Sequence, residues 1–150
     1  MKIEYGYYHG YTLFDKKGID VAYPFGHGLS YTTFEYDSLE VDPVDTENKS
    51  WKIRARVSNT GKMTGEEVVQ LYVGFANSEI DRPVKLLKGF DKIAIRPGES
   101  KTVEFEIDPE ELAWYDPESK TWKLEKMEYG VFVGPSSDEL KLLKGSLTME

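Results

Sequence analysis

The chain has no cysteine, only two histidines, and fewer basic residues (19 Lys and Arg) than acidic ones (27 Asp and Glu). The missing thiols exclude disulfides, thiolate catalysis and cysteine-type zinc centres, and leave the compartment open. A formal net charge of −8 disfavours partners that need a basic surface, namely nucleic acid and anionic lipid. No window approaches the ~18 apolar residues of a membrane helix, and the stretch after Met1, Lys2-Ile3-Glu4-Tyr5-Gly6-Tyr7-Tyr8, lacks a signal-peptide core. Internal repeats, low-complexity tracts and any sustained 3.6-residue apolar period are absent as well.

What remains is a folded, highly charged chain of 150 residues with 39% apolar and 13% aromatic side chains, a size that suits one domain plus an extension. The rings are unevenly spread. Residues 1–32 carry Tyr5, Tyr7, Tyr8, Tyr11, Phe14, Tyr23, Phe25 and Tyr31, a density that a solvated tail rarely holds. Two uses fit such a segment: packing on a neighbouring domain, the favoured reading, or stacking on sugar rings.

Beyond Ser30 the pattern becomes that of strands. Phe34, Tyr36, Leu39 and Val41 suggest a first one, broken at Asp42-Pro43 and the polar run Asp45 to Ser50. Trp51, Ile53, Ala55 and Val57 alternate with Lys52, Arg54 and Arg56, and Val69, Leu71 and Val73 alternate with Val68, Gln70 and Tyr72. The stretch from Val84 to Ile95 reads as two short strands, or one bent at Gly89. After the turn Arg96-Pro97-Gly98-Glu99, Val103, Phe105 and Ile107 form a further strand with Glu104 and Glu106 outward. Asp108-Pro109 predicts a single helical turn, capped by Asp108 with proline first inside. Trp122 and Leu124, then Tyr129, Val131 and Val133, then Leu140 to Met149, supply the last strands. About seven short strands separated by turns predict an all-β, immunoglobulin-like, two-sheet antiparallel sandwich with an aromatic-rich N-terminal extension.

Several motifs in fixed order carry a resemblance: Gly10-Tyr11, Asp15-Lys16-Lys17-Gly18-Ile19, Pro24-Phe25-Gly26-His27-Gly28-Leu29-Ser30-Tyr31, Val57-Ser58-Asn59-Thr60-Gly61, Val68 to Val73, Arg82 to Phe90, Pro97-Gly98-Glu99-Ser100, Leu112 to Asp116, and Val133 to Ser137. Together they resemble the C-terminal fibronectin type III-like domain of glycoside hydrolase family three, the β-glucosidases and β-xylosidases, with the connector leading into it. The resemblance implies residues 1–32 as interdomain connector and 33–150 as the fibronectin type III-like domain. It implies a truncated enzyme whose retaining chemistry, with two carboxyl groups about 5 Å apart, belongs to a preceding barrel and α/β-sandwich domain. No catalytic residue is carried over, and no cofactor or metal is expected. Thr12 stands after Gly10-Tyr11, where relatives often have arginine.

The implied role is that of a non-catalytic accessory domain that supports packing and stability of a parent hydrolysing β-glycosidic bonds. Tyr7, Tyr8, Tyr11, Phe14, Tyr23 and Phe25 are the expected interdomain packing residues. Without their neighbour, these rings should fold back on the sandwich, self-associate or stay disordered. The alternative is a carbohydrate-binding module that holds the enzyme near polysaccharide, with Tyr72, Tyr115 and Trp122 as candidates, since flat rings beside polar groups suit a pyranose face. His9 and His27 have no metal or triad spacing, and are read as packing or hydrogen-bonding residues. The carboxylate pairs Glu66-Glu67, Glu104/Glu106 and Glu110-Glu111 are read as solvated surface.

Overall fold

A computed structural model describes residues 6–44 and 50–149. Tyr5, expected in the aromatic segment, and residues 45–49 of the expected strand break lie outside the described residues. The architecture is a two-sheet antiparallel sandwich. One sheet holds three strands in the order β1 (Phe34–Pro43), β2 (Trp51–Asn59), β5 (Ser100–Ile107). The other holds four in the order β4 (Lys85–Ile95), β3 (Gly65–Gly74), β8 (Glu128–Gly134), β9 (Leu143–Thr148). A separate hairpin pairs β6 (Trp114–Asp116) with β7 (Thr121–Lys123). Two helical segments, α1 (Tyr11–Lys17) and α2 (Pro109–Leu112), precede β1 and β6.

Period-two alternation builds the core as the sequence predicts. Ile53, Ala55 and Val57 of β2 face Val69, Leu71 and Val73 of β3 across the sandwich, joined by Val103, Ile107, Tyr129, Val131 and Leu147, all at most 2% exposed. Burying a side chain of this size contributes about 1.5–3 kcal/mol, so this cluster supplies the main driving force. In β1 the apolar parity changes between Tyr36 and Leu39. A bulge between Tyr36 and Ser38 leaves Asp37 unpaired and restores both halves to the same face.

The segment after Val84 is one strand, not two. Its irregularity lies beside Gly89: Leu71 opposes Gly89 and Tyr72 opposes Leu87, so Lys88 is the extra residue. The turn expected at Asp108 forms with Pro109 in its first position, but the Asp108 side chain makes no capping bond. Trp114-Tyr115-Asp116, not read as a strand in the sequence, is the first strand of the small hairpin. The last expected strand is shortened at its start, because Glu139–Lys141 form a 3-10 turn whose Leu140 N–H is held by the Asp138 carboxylate.

The N-terminal segment contains an unforeseen helix. In α1 no acidic residue stands in the first turn and Gly10 precedes it without a side-chain cap, so its start is weakly encoded. Its end is clearer: Lys16 and Lys17 occupy the last turn, and Gly18 at φ 60° closes it in the left-handed region. Among the described residues, no helix is long and apolar enough to cross a membrane.

Candidate connector seat and aromatic hairpin

The outer face of β3 carries Gln70 and Tyr72, opposite the core-facing Val69, Leu71 and Val73. Alternation alone would leave that face to solvent, yet Tyr72 is fully buried. Its cover is the N-terminal segment. The Tyr11 ring stands edge-on to Tyr72 with centroids 6.1 Å apart, and Phe25 stacks on Tyr11 at 4.7 Å. Such ring pairs are each worth about 0.5–1.5 kcal/mol beyond the area they bury.

Polar groups fix the register of this seat. The Tyr72 hydroxyl donates to Gln70 Oε1 at 2.6 Å, which turns the Gln70 amide so that Nε2 donates to Pro135 O at 2.6 Å and Gly26 O at 3.3 Å. Ser137 N–H donates to Phe25 O at 2.8 Å. Tyr11 adds an acceptor: its hydroxyl takes the Leu87 N–H at 3.0 Å, beside the irregular point of β4. Burial raises the Tyr11 hydroxyl above its ordinary pKa, the Leu87 N–H pulls it back, and Asp15 raises it further. Tyr72 is pushed up in the same direction, by burial first.

Ion pairs clamp the helix. Lys85 is 2% exposed at the start of β4, and its ammonium lies 2.7 Å from Asp15 Oδ2 and 3.7 Å from Glu139 Oε1. Lys16 reaches Asp81 Oδ1 at 2.5 Å, and its ammonium lies 5.2 Å from the Tyr8 ring centroid. Further along, the buried Asn59 anchors Thr32. Its Oδ1 accepts from Thr32 Oγ1 at 2.7 Å and from Gly61 N–H at 3.1 Å, while Nδ2 donates to Met63 O and Ile95 O, each at 2.8 Å.

The connector rings therefore divide into two sets. Tyr11 faces the sandwich, Phe25 stacks on Tyr11 while staying 47% exposed, and Tyr8 is half-buried. Tyr7 (71% exposed), Tyr23 (75%), Leu29 and Tyr31 (both 96%) point away from it, and Phe14 is partly open. His27 lies near the Tyr23 ring, and the Thr12 hydroxyl donates to His9 O at 2.8 Å.

The three sugar-binding candidates separate. Tyr72 presents no ring face to a ligand, because Tyr11 and the surrounding polar network cover it. Tyr115 and Trp122 come together instead as cross-strand partners of the β6–β7 hairpin, with centroids 5.6 Å apart and planes at 67°. Both are exposed, at 50% and 70%. Asp116 holds the hairpin: its carboxylate accepts from Ser119 Oγ at 2.7 Å and Glu118 N–H at 3.0 Å, and it pairs with Lys123. The Lys123 ammonium foremost, then the Ser119 hydroxyl and the Glu118 N–H, keep that carboxyl well below the usual carboxylate range.

Among the carboxylates, Glu104 lies on the sheet surface as expected, paired with Lys52 at 2.9 Å and Arg54 at 3.0 Å. Glu67 departs from that reading. It is half-buried and accepts the Tyr36 hydroxyl at 2.8 Å, and burial raises its pKa more than that bond lowers it. Arg82 was not singled out in the sequence. Its side chain is 8% exposed, pairs with Glu125 at 3.1 Å, donates to Leu112 O at 2.9 Å and stacks its guanidinium 3.8 Å from the Phe75 ring centroid.

An all-β sandwich of these two sheets, with a folded N-terminal arm, defines a fibronectin type III-like domain. Residues 67–137 match the family described as Fibronectin type III-like domain, and the chain around them is similar to the corresponding part of family 3 β-glucosidases. It is 44% identical over 144 residues to thermostable beta-glucosidase B of Acetivibrio thermocellus, covering 94% of this chain and 19% of that enzyme. The crystal structure of the Kluyveromyces marxianus beta-glucosidase in complex with glucose superposes with a TM-score of 0.84 at 41% identity, over 94% of this chain and 17% of that one. The Bifidobacterium adolescentis GH3 beta-glucosidase gives 0.86 at 34% identity, over 93% and 20%. The chain thus spans about a fifth of the length of the relatives it matches.

Proposed function

We propose that this chain is a non-catalytic accessory domain of a family 3 β-glucosidase, in which residues 1–32 act as a two-faced connector and residues 33–150 as the sandwich. One face of the connector is anchored to β3 and β4 through Tyr11, Asp15, Phe25 and Gly26. The other offers Tyr7, Tyr23, Leu29 and Tyr31 to the barrel and α/β-sandwich domains of the parent. The observation that carries this reading is the solvent exposure of Leu29 and Tyr31, 96% each, on a segment fixed at Asn59 through Thr32. Large apolar side chains held outward at fixed positions suit an interface better than a tail.

Supporting it further, several of the motifs that carry the family resemblance converge on one seat. Gly10-Tyr11, Asp15, Pro24-Phe25-Gly26, Gln70 and Tyr72, Lys85 to Leu87, and Pro135 to Ser137 meet there. A connector held this way would set the angle between domains and so help keep a sugar cleft in shape. The catalytic carboxylates would come from the parent's other domains. The experiment is deletion of residues 33–150 from the parent enzyme. The expected result is a lower melting temperature with reduced turnover of an aryl β-glucoside; unchanged melting and turnover would reject the reading.

A further inference from the structure

We infer that the β6–β7 hairpin is a carbohydrate-stacking platform, on which Trp122 and Tyr115 engage neighbouring pyranose rings of a β-glucan. Tyr72 is excluded from it by burial, so this site is not the one that composition alone would assemble. Cross-strand register places Tyr115 opposite Trp122, which brings both rings to one side of a hairpin whose strands are three residues each. Their edge-to-face angle of 67° makes two walls instead of one flat patch. Beside Trp122 opens a groove of about 550 Å³, lined by Pro109, Glu110, Ala113, Trp122 and Leu124.

The chemistry of that surface fits a sugar. A pyranose offers a C–H face that packs on a ring and equatorial hydroxyls that need hydrogen-bond partners at its rim. Here the rings and the apolar groove floor supply the first, while the Glu110 carboxylate, in the groove lining beside Trp122, is placed for the second. Nucleobases would also stack, but their phosphates would meet a chain of net charge −8. A second protein is disfavoured by size: specific protein interfaces bury on the order of 1,200 Å² or more, beyond what two rings and a five-residue groove provide.

The platform is rigid before any ligand arrives. Asp116 ties Glu118, Ser119 and Lys123 into the hairpin, and the Ser119 and Thr121 hydroxyls bond at 2.8 Å. Behind it, α2 is fastened to the sandwich by Arg82 donating to Leu112 O and Lys88 donating to Glu111 O. Preorganised rings lose little entropy on binding, which favours use of a weak stacking site. The choice of a β-glucan as occupant rests on the function proposed above, whereas the test needs only this chain.

The experiment is a ¹H–¹⁵N NMR titration of the chain with cellotetraose, laminaritetraose and xylotetraose, following the indole N–H signals of Trp51, Trp114 and Trp122 together with the backbone amides of β6 and β7, which report binding in the variants that lack Trp122. Trp122→Phe assigns the Trp122 signal and serves as the folded control. The expected result is a saturable shift at Trp122 with a dissociation constant of about 1 mM for a glucan, weakened at least about tenfold by Trp122→Ala and by less in Trp122→Phe. Trp122→Ala opens no core cavity, since the side chain is largely solvent-exposed, so it should keep a dispersed spectrum. Silence at Trp122 with all three sugars at about 10 mM, or equal affinity in Trp122→Ala, overturns the inference and leaves the connector's docking role untouched.

Discussion

Gly26 lies directly against the side chain of Gln70: a Cβ placed on Gly26 would fall 2.1 Å from Gln70 Oε1. Gly26 also sits at φ 80°, where side-chain-bearing residues are strained. The connector can reach β3 here only as glycine, and Gln70 in turn binds Gly26 O, Pro135 O and the Tyr72 hydroxyl.

Gly26→Ala should therefore loosen the connector without unfolding the sandwich. Steric displacement and φ strain together cost about 1–3 kcal/mol, a shift of roughly 5- to 160-fold in the local opening equilibrium. Limited proteolysis before Ser30 is the measurement. The cleavage rate should rise by at least about fivefold, with the core amides of β2 and β3 still protected from hydrogen exchange.

Asp15→Ala should destabilise the helix seat more than its surface position suggests. It strips the 2.7 Å partner from the buried Lys85 ammonium and, among the described residues, leaves Glu139 at 3.7 Å as its carboxylate partner. An incompletely compensated buried charge costs about 1–3 kcal/mol, and Lys85→Met in the Asp15→Ala background should recover part of that loss. Chemical denaturation of the single and double variants measures the coupling.

Asp116 gives the hairpin an acid-sensitive hold. Its folded pKa is depressed below the ordinary value of 3.8, so its contribution is fully present above 3.8 and disappears as pH falls through the lower folded value. Asp116→Asn should weaken the hairpin at neutral pH and flatten this part of the acid dependence. Intrinsic fluorescence of Trp122 and Trp114, followed from pH 6 to about 1.5, reports both effects.

Glu67 behaves in the opposite sense. Burial raises its folded pKa above the ordinary 4.5, so the folded state holds an extra proton in that window and loses stability as pH rises through the folded value. Glu67→Gln keeps an acceptor for Tyr36 and removes the charge. It should melt at or above the parent chain at pH 7, with the difference closing below about pH 4.5. Paired melting curves at the two pH values check this.

The sandwich was readable because alternation is a local signal. Ile53, Ala55 and Val57, or Val69, Leu71 and Val73, state their facing within a few residues. The β1 bulge was written there too, in the parity change from Tyr36 to Leu39. Tyr72 was misread as a surface ring because its cover, Tyr11 and Phe25, comes from a distant part of the chain that no local period connects to β3. Helix α1 has too few residues for a 3.6 period to register, and only Gly18 and the two lysines before it announce its end. Glu67 looked like a solvated carboxylate because its burial comes with Tyr36, across the sandwich. Tyr115 and Trp122 were singled out separately, and only the hairpin register makes them neighbours.

The outward connector residues provide the sharpest discrimination, since they touch little within this chain. Leu29→Ser with Tyr31→Ser can be placed both in the isolated chain and in the larger enzyme proposed above, and thermal unfolding measured in each. If these side chains seat the domain on its companions, the isolated chain should melt within about 1 °C of the unsubstituted one while the parent loses several degrees. Equal melting of the substituted and unsubstituted parent would contradict a docking role for the connector.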